Sequence, residues 1–150
     1  MTKLFLFLFY ISKYIPLSRG LFNAIYSCEI PKRTIMGKNV AFMHNARGTI
    51  IHGDSVIGNN VTIGHHVCIG TNATPHDAPI IHDNVFIGVY SLIIGKVEIG
   101  EGAVIGAGSL VMHDIPANMV YYNPRTEHME DKSTISNKSL NKIAEFKDEI

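Results

Sequence analysis

Branched aliphatic residues return along the middle of the chain every six positions, at Ile51, Ile57, Ile63 and Ile69, then at Ile81, Ile87, Ile93, Ile99, Ile105 and Val111. The rhythm holds except for one double interval between Ile69 and Ile81. Four residues after most of these positions stands a small or β-branched residue: Ser55, Val61, Val67, Val85, Ser91, Val97, Ala103 and Ser109. Glycine often follows the aliphatic directly, as at Gly58, Gly64, Gly88, Gly100 and Gly106. A helix needs apolar spacing near ~3.6 residues and does not tolerate so many interior glycines. A meander would show less regular turns. Six-residue periodicity with Gly, Asn and Asp at the corners predicts an all-β solenoid, each hexapeptide one short strand and one turn, stacked parallel on the next coil. The aliphatics then form a continuous inward ladder, and the ends of the stack need caps.

The flanks supply candidates for those caps. Residues 1–28 open with "MTKLFLFLFYISKYIP", where Lys3 precedes the apolar run Leu4 to Ile11 and Lys13 follows it, with no small-residue cleavage site. The run is far short of the roughly 20 apolar residues that span a bilayer. Short helices are expected here, packed on this or a neighbouring subunit, with peripheral contact to a membrane surface as the alternative. The polar tail, residues 126–150, predicts a C-terminal helix over "SNKSLNKIAEFKDEI", with Ser136 as N-cap and Leu140, Ile143 and Phe146 on one face. The repeat domain itself is expected over residues 29–125.

Composition narrows the function classes. The chain's 150 residues suit one domain with a real core. Lys plus Arg and Asp plus Glu each number 13, so no basic surplus favours nucleic acid. Two distant cysteines, Cys28 and Cys68, make no disulfide framework and fit a reducing cytoplasm.

The rhythm breaks twice. "FMHNARGTIIH" carries three residues more than the phase between Phe42 and Ile51 allows, and "TNATPHDAP" keeps phase while Pro75 and Pro79 replace strand residues, implying a loop pushed outward. Loops on a rigid scaffold are where function concentrates. In the first break His44 is a candidate general base, since a neutral imidazole accepts a hydroxyl proton near neutral pH. Glu29, fifteen positions upstream, is a candidate carboxylate partner if a stacked coil brings it near. A structural His44 is the competing reading. His52, His65, His66, His76 and His82 raise a zinc site as a further possibility, although plain surface residues on the solenoid corners are the better account of them. No metal is expected.

"HNARGTIIHGDSVIGNNVTIG", the "AP" before Ile80, "IGEGAVIGAGSLVMHDIP" and the remnant "NPR" resemble the serine acetyltransferase-like branch of the hexapeptide-repeat acyltransferases. The likeness runs from about Glu29 to Arg125. It implies a left-handed parallel β-helix, assembled as homotrimers, with acetyl-CoA lying along the groove between subunits. The family's catalytic His falls on His44 and its acidic partner on Glu29. Main-chain groups that hold the pantetheine arm fall on Gly70, Val89, Gly106 and Ala107, with Arg125 available for CoA phosphate.

The departures bear on the acceptor. Enzymes that acetylate serine carry an Arg-His pair before the proline matching Pro79, whereas this chain has Asp77-Ala78, with His76 displaced. They also carry a long N-terminal helical domain, whereas here only the stretch from Met1 to Cys28 precedes Glu29. The "HN" and "AP" motifs are similar to those of short sugar O-acetyltransferases of surface-polysaccharide pathways. The resemblance thus implies acetyl transfer to a sugar hydroxyl, with Asn45, Arg47, His76 and Asp77 binding the acceptor, in the cytoplasm or at the inner membrane face. Serine O-acetylation is the alternative, followed by a metal-dependent hydratase or a non-catalytic β-helix module.

Overall fold

The computed structural model describes residues 4, 7–8, 18–72, 74 and 76–123. Arg125 and the expected tail helix lie outside the described residues. Short strands alternate with tight turns and wind a parallel β-solenoid of about four turns, the arrangement of a left-handed hexapeptide-repeat β-helix.

Three sheets form its faces. The first contains β1 (Ile35–Met36), β4 (Val56–Ile57), β7 (Ile80–Ile81) and β10 (Glu98–Ile99). The second contains β2 (Ala41–Phe42), β5 (Thr62–Ile63), β8 (Phe86–Ile87), β11 (Val104–Ile105) and β13 (Val120–Tyr121). The third contains β3 (Ile50–Ile51), β6 (Cys68–Gly70), β9 (Leu92–Ile94) and β12 (Leu110–Val111). Each aliphatic of the six-residue rhythm sits over its counterpart in the next coil: Ile57 over Ile81 and Ile99, Ile63 over Ile87 and Ile105, Ile51 over Ile69, Ile93 and Val111. All are buried. Each such side chain removed from water contributes on the order of 1.5–3 kcal/mol. The small residues four positions later, Ser55, Val61, Val67, Val85, Ser91, Val97, Ala103 and Ser109, are buried at the inner corners.

Corner chemistry explains the Asn and Gly. Asn39, Asn60 and Asn84 adopt left-handed backbone conformations (φ 58°, 56° and 61°), which asparagine tolerates better than most residues. Their amides form a ladder: Asn39 Nδ2 donates to Asn60 Oδ1, Asn60 Nδ2 to Asn84 Oδ1 and Asn84 Nδ2 to Glu101 Oε1, each at 3.1 Å. Gly88 is required by close stacking, since a Cβ there would lie 2.8 Å from the Ala107 Cα in the coil above.

A regular coil is three hexapeptides long, as from Phe86 to Val104. The coil from Ala41 to Thr62 is longer by three residues, and that from Thr62 to Phe86 by six. The two breaks in the rhythm are therefore insertions that return the chain to the same register. At the N-terminal end, α1 (Ser18–Tyr26) places Phe22 in the core, with Tyr26 packed beside it at 4.7 Å between ring centroids. Leu21 and Ile25 on its other side are exposed. No described helix is long and apolar enough to cross a membrane.

The inward ladder makes a direct prediction. Ile87→Ala, at a fully buried central position, should lower unfolding free energy by about 2–5 kcal/mol in urea titration, whereas Thr62→Ala on the outer face should cost under about 1 kcal/mol. Equal effects at the two sites would contradict this assignment of faces.

Candidate functional site

The three-residue insertion builds a feature with no counterpart at the other described corners. His44, Asn45 and Ala46 all lie in the left-handed region (φ 50°, 57° and 58°), a conformation that non-glycine residues rarely string together. The turn is held at both ends: Arg47 N–H donates to the His44 carbonyl (3.4 Å), Thr49 N–H to the Ala46 carbonyl (2.9 Å) and Gly48 N–H to the Ser27 carbonyl (2.8 Å). Ala46 is buried and anchors the turn in the core, while His44 and Arg47 project outward and Asn45 is half-buried.

The insertion sits on the corner between the second and third sheets, and successive coils stack further turns on it. His66 N–H donates to the Arg47 carbonyl (2.9 Å), Tyr90 N–H to the His65 carbonyl (3.1 Å) and Gly108 N–H to the Val89 carbonyl (2.8 Å). One edge of the solenoid thus aligns Arg47, His65–His66, Val89–Tyr90 and Ala107–Gly108. His44, Asn45, Arg47 and His65 line a cleft of about 410 Å³.

Within the cleft the two imidazoles touch. The His44 and His65 rings lie 4.7 Å apart between centroids at 81°, an edge-to-face contact. His65 also meets Tyr90 (5.5 Å, 72°) and His66 (5.4 Å, 72°), and His66 stacks on Tyr90 (4.8 Å, 1°). Gly48 makes room for this cluster, because a Cβ there would collide with the His66 ring. Partial burial holds the His65 imidazole below its usual range, with further lowering from His44 and then His66. Its Nδ1 is buried with no hydrogen-bond partner among the described residues.

The other sequence candidates are placed variously. Glu29 does not line the cleft. It forms a parallel bridge with Ile50, donating its N–H to the Thr49 carbonyl (2.9 Å) and accepting from Ile51 N–H (2.8 Å). The insertion lengthens this coil by three residues, so an offset of fifteen falls short of one full coil. No hydrogen bond links the Glu29 carboxylate to His44 among the described residues. Val89, Gly106 and Ala107 lie along the edge above the cleft. Gly106 is engaged within the solenoid, donating to the Tyr121 carbonyl (2.7 Å) and accepting from Ser91 Oγ (2.9 Å) and Ser109 Oγ (2.7 Å). The N–H groups of Val89 and Ala107 have no partner among the described residues. Gly70 ends β6, and its carbonyl accepts from Gly95 N–H (2.9 Å).

His76 and Asp77 sit on the outward loop of the six-residue insertion. Thr74 Oγ1 donates to Asp77 Oδ2 at 2.6 Å, and neither His76 nor Asp77 lines this chain's cleft. Among the described residues no group of three or more His, Cys, Asp or Glu side chains is disposed to hold a metal ion. His65 is the cleft residue that its sequence context assigns to a plain surface corner. The signal that could have found it is its place one coil beyond the insertion.

Comparison with known proteins fits this geometry. Residues 78–113 match the family described as bacterial transferase hexapeptide (six repeats). The serine acetyltransferase of Buchnera aphidicola subsp. Schizaphis graminum is 35% identical over 97 residues, 63% of this chain and 37% of that protein. The probable serine acetyltransferase 1 of Oryza sativa subsp. japonica is 44% identical over 94 residues, 61% of this chain and 31% of that protein. The structure of soybean serine acetyltransferase complexed with serine superposes with a TM-score of 0.66 at 37% identity, over 71% of this chain and 45% of that one. Residues 78–113 thus carry the repeat of that transferase family, and the solenoid is similar over part of its length to serine acetyltransferases. The chain spans about a third of the length of these curated relatives.

These relatives correct the expected acceptor. The short "HN" and "AP" motifs point to a polysaccharide sugar, but they sit on a scaffold that many acyltransferases share. Longer likeness, at 35% and 44% identity, runs to proteins named for serine, and so does the structural likeness. The alternative reading, serine, is the better supported.

The buried His65 nitrogen has a measurable consequence. Its proton affinity is lower in the folded protein than at the unfolded value of 6.5, so below that pH the unfolded chain binds more protons and stability falls. The thermal midpoint should drop as pH is taken from about 7.5 to about 5.5, and part of that slope should vanish in His65→Phe. Identical pH slopes in the two proteins would show that His65 contributes none of it.

Proposed function

We propose that the protein is an acetyl-CoA-dependent O-acetyltransferase whose acceptor is the hydroxyl of L-serine. The observation that carries this reading is the left-handed turn that presents His44 in a cleft beside Asn45 and Arg47, on a solenoid whose homologues are serine acetyltransferases. In the proposed reaction His44 removes the proton from the serine hydroxyl as its oxygen attacks the thioester carbonyl. Collapse of the tetrahedral intermediate breaks the C–S bond, and the departing CoA sulfur takes up the proton held by His44. The unengaged main-chain N–H groups of Val89 and Ala107, on the same edge, suit the amide-rich pantetheine arm.

Arg47 offers an answer to the missing Arg-His pair. Its guanidinium lines the cleft with no ion pair to a described residue, and it has the fork geometry that pairs with a carboxylate. We assign it the serine carboxylate, with Asn45 beside it as a hydrogen-bonding neighbour. The Asp77 carboxylate, already bonded to Thr74, belongs to the loop. Assembly as a homotrimer is part of the proposal. The third sheet turns the apolar row Ile50, Leu92 and Leu110 to solvent, each more than 40% exposed, as a surface that association would bury.

Thiol release from acetyl-CoA should depend on L-serine, with O-acetylserine detected by mass spectrometry. His44→Ala should lower kcat by about 10²- to 10⁴-fold, and Arg47→Ala should raise the serine KM about tenfold or more while leaving that for acetyl-CoA unchanged. Absence of serine-dependent release from the wild-type protein would sink the reading. In sedimentation equilibrium, Leu92→Asp should convert a trimer to a monomer.

A further inference from the structure

We propose that His65 is a positioning residue for His44: its ring holds the base in place by edge-to-face contact, and it must stay neutral for proton transfer to proceed. This rests on the acetyl-transfer reading above and adds to it a residue outside the resemblance.

The contact is fixed by backbone geometry. His65 and His66 form the tip of the turn stacked next to the insertion, tied to it by His66 N–H on the Arg47 carbonyl and to the following coil by Tyr90 N–H on the His65 carbonyl. Tyr90 from the next coil and the neighbouring His66 both meet the His65 ring edge-to-face, and these two rings stack on each other. His65 therefore has little freedom to turn away, and its ring meets His44 at 4.7 Å. Among the described residues no carboxylate is hydrogen-bonded to His44, and the main chain of Glu29 is bridged to Ile50.

Packing alone does not explain a histidine here. An aromatic hydrocarbon would fill the same corner, yet His65 carries a buried Nδ1 with no partner among the described residues, a cost that phenylalanine avoids. What the imidazole adds is a second titrating ring against the base. When His44 takes the acceptor's proton it becomes a cation, and a neutral His65 presents it with a polarisable ring. A protonated His65 would set two positive charges in contact and oppose the transfer. The other charged or titratable groups around the pair are Arg47 in the cleft, His66 on the same turn and Tyr90 from the next coil. The Arg47 cation, and His66 when protonated, also disfavour a second proton on the pair. Burial and the neighbouring imidazoles lower the proton affinity of His65, which keeps it neutral at physiological pH. The contact between the rings makes a proton on His44 disfavour one on His65.

The test uses the full chain and three proteins: wild type, His65→Ala and His65→Phe, each checked for a cooperative thermal transition. With L-serine and acetyl-CoA, His65→Ala should lose about tenfold in kcat with both KM values within about twofold of wild type. His65→Phe, which keeps the edge-to-face contact, should recover most of that loss near pH 8. On the acid side, log kcat/KM of wild type should fall with a limiting slope approaching about two, and that of His65→Phe with a slope of about one. A wild-type kcat in His65→Ala, or a slope unchanged in His65→Phe, would overturn the proposal. Ring carbon resonances of ¹³C-labelled histidine supply a readout independent of turnover. The His44 signal should titrate in two steps in wild type and in one step in His65→Phe, and a single step in both would equally overturn it. If wild type fails to acetylate serine while the two-step titration appears, the acceptor reading falls and the His44–His65 coupling stands.

Discussion

Everything in this molecule depends on vertical register. Each inward aliphatic must rest on the one below, because a coil this small buries its apolar face only against its neighbours. A shift of one residue would turn a whole row outward. Insertions are therefore allowed only where the chain leaves a corner and returns to the same phase. The protein uses that allowance twice: three residues at His44–Ala46, and six in the loop bearing His76 and Asp77. The regular coils are scaffold, and the first of the two departures carries the candidate base.

That constraint explains what is legible in the amino-acid order. Ten in-phase aliphatics identify the solenoid without ambiguity, because a parallel stack leaves a periodic trace. The slip around His44 is equally legible, being a defect in an otherwise strict rhythm, and His44, Asn45 and Arg47 do share one cleft. His65 is not legible in the same way. It occupies an ordinary turn position, and its importance comes from what the insertion in the preceding coil places against it. Glu29 is placed by its main chain, which bridges to Ile50 because the insertion makes this coil longer than three hexapeptides.

The acceptor cannot be derived from periodicity at all. The six-residue rule governs which residues point inward, whereas the acceptor is read by a few outward side chains. Short motifs near the loop suggest a sugar, and longer likeness to serine acetyltransferases outweighs them. In the proposed function the reconciling element is Arg47, which lines the cleft beside His44 and would there take the role that a loop arginine has in the family pattern. Substituting the source of a charge while keeping its sign is a modest evolutionary step, because a carboxylate is recognised by fork geometry and not by the element that carries it.

The conformation of the insertion connects stability to chemistry. Three successive left-handed residues, none of them glycine, cost roughly 1–2 kcal/mol each relative to ordinary backbone. Such a turn persists only because its surroundings over-determine it: Ala46 is locked in the core, and three main-chain hydrogen bonds tie residues 44–49 down. The same strain throws His44 outward against the next coil, where the His65 ring stands. In a relaxed turn residue 44 would fall into the ladder or onto a plain corner, and the two imidazoles would not meet. The rigidity that the aliphatic ladder confers is thus concentrated at a single corner, where it holds an exposed imidazole still.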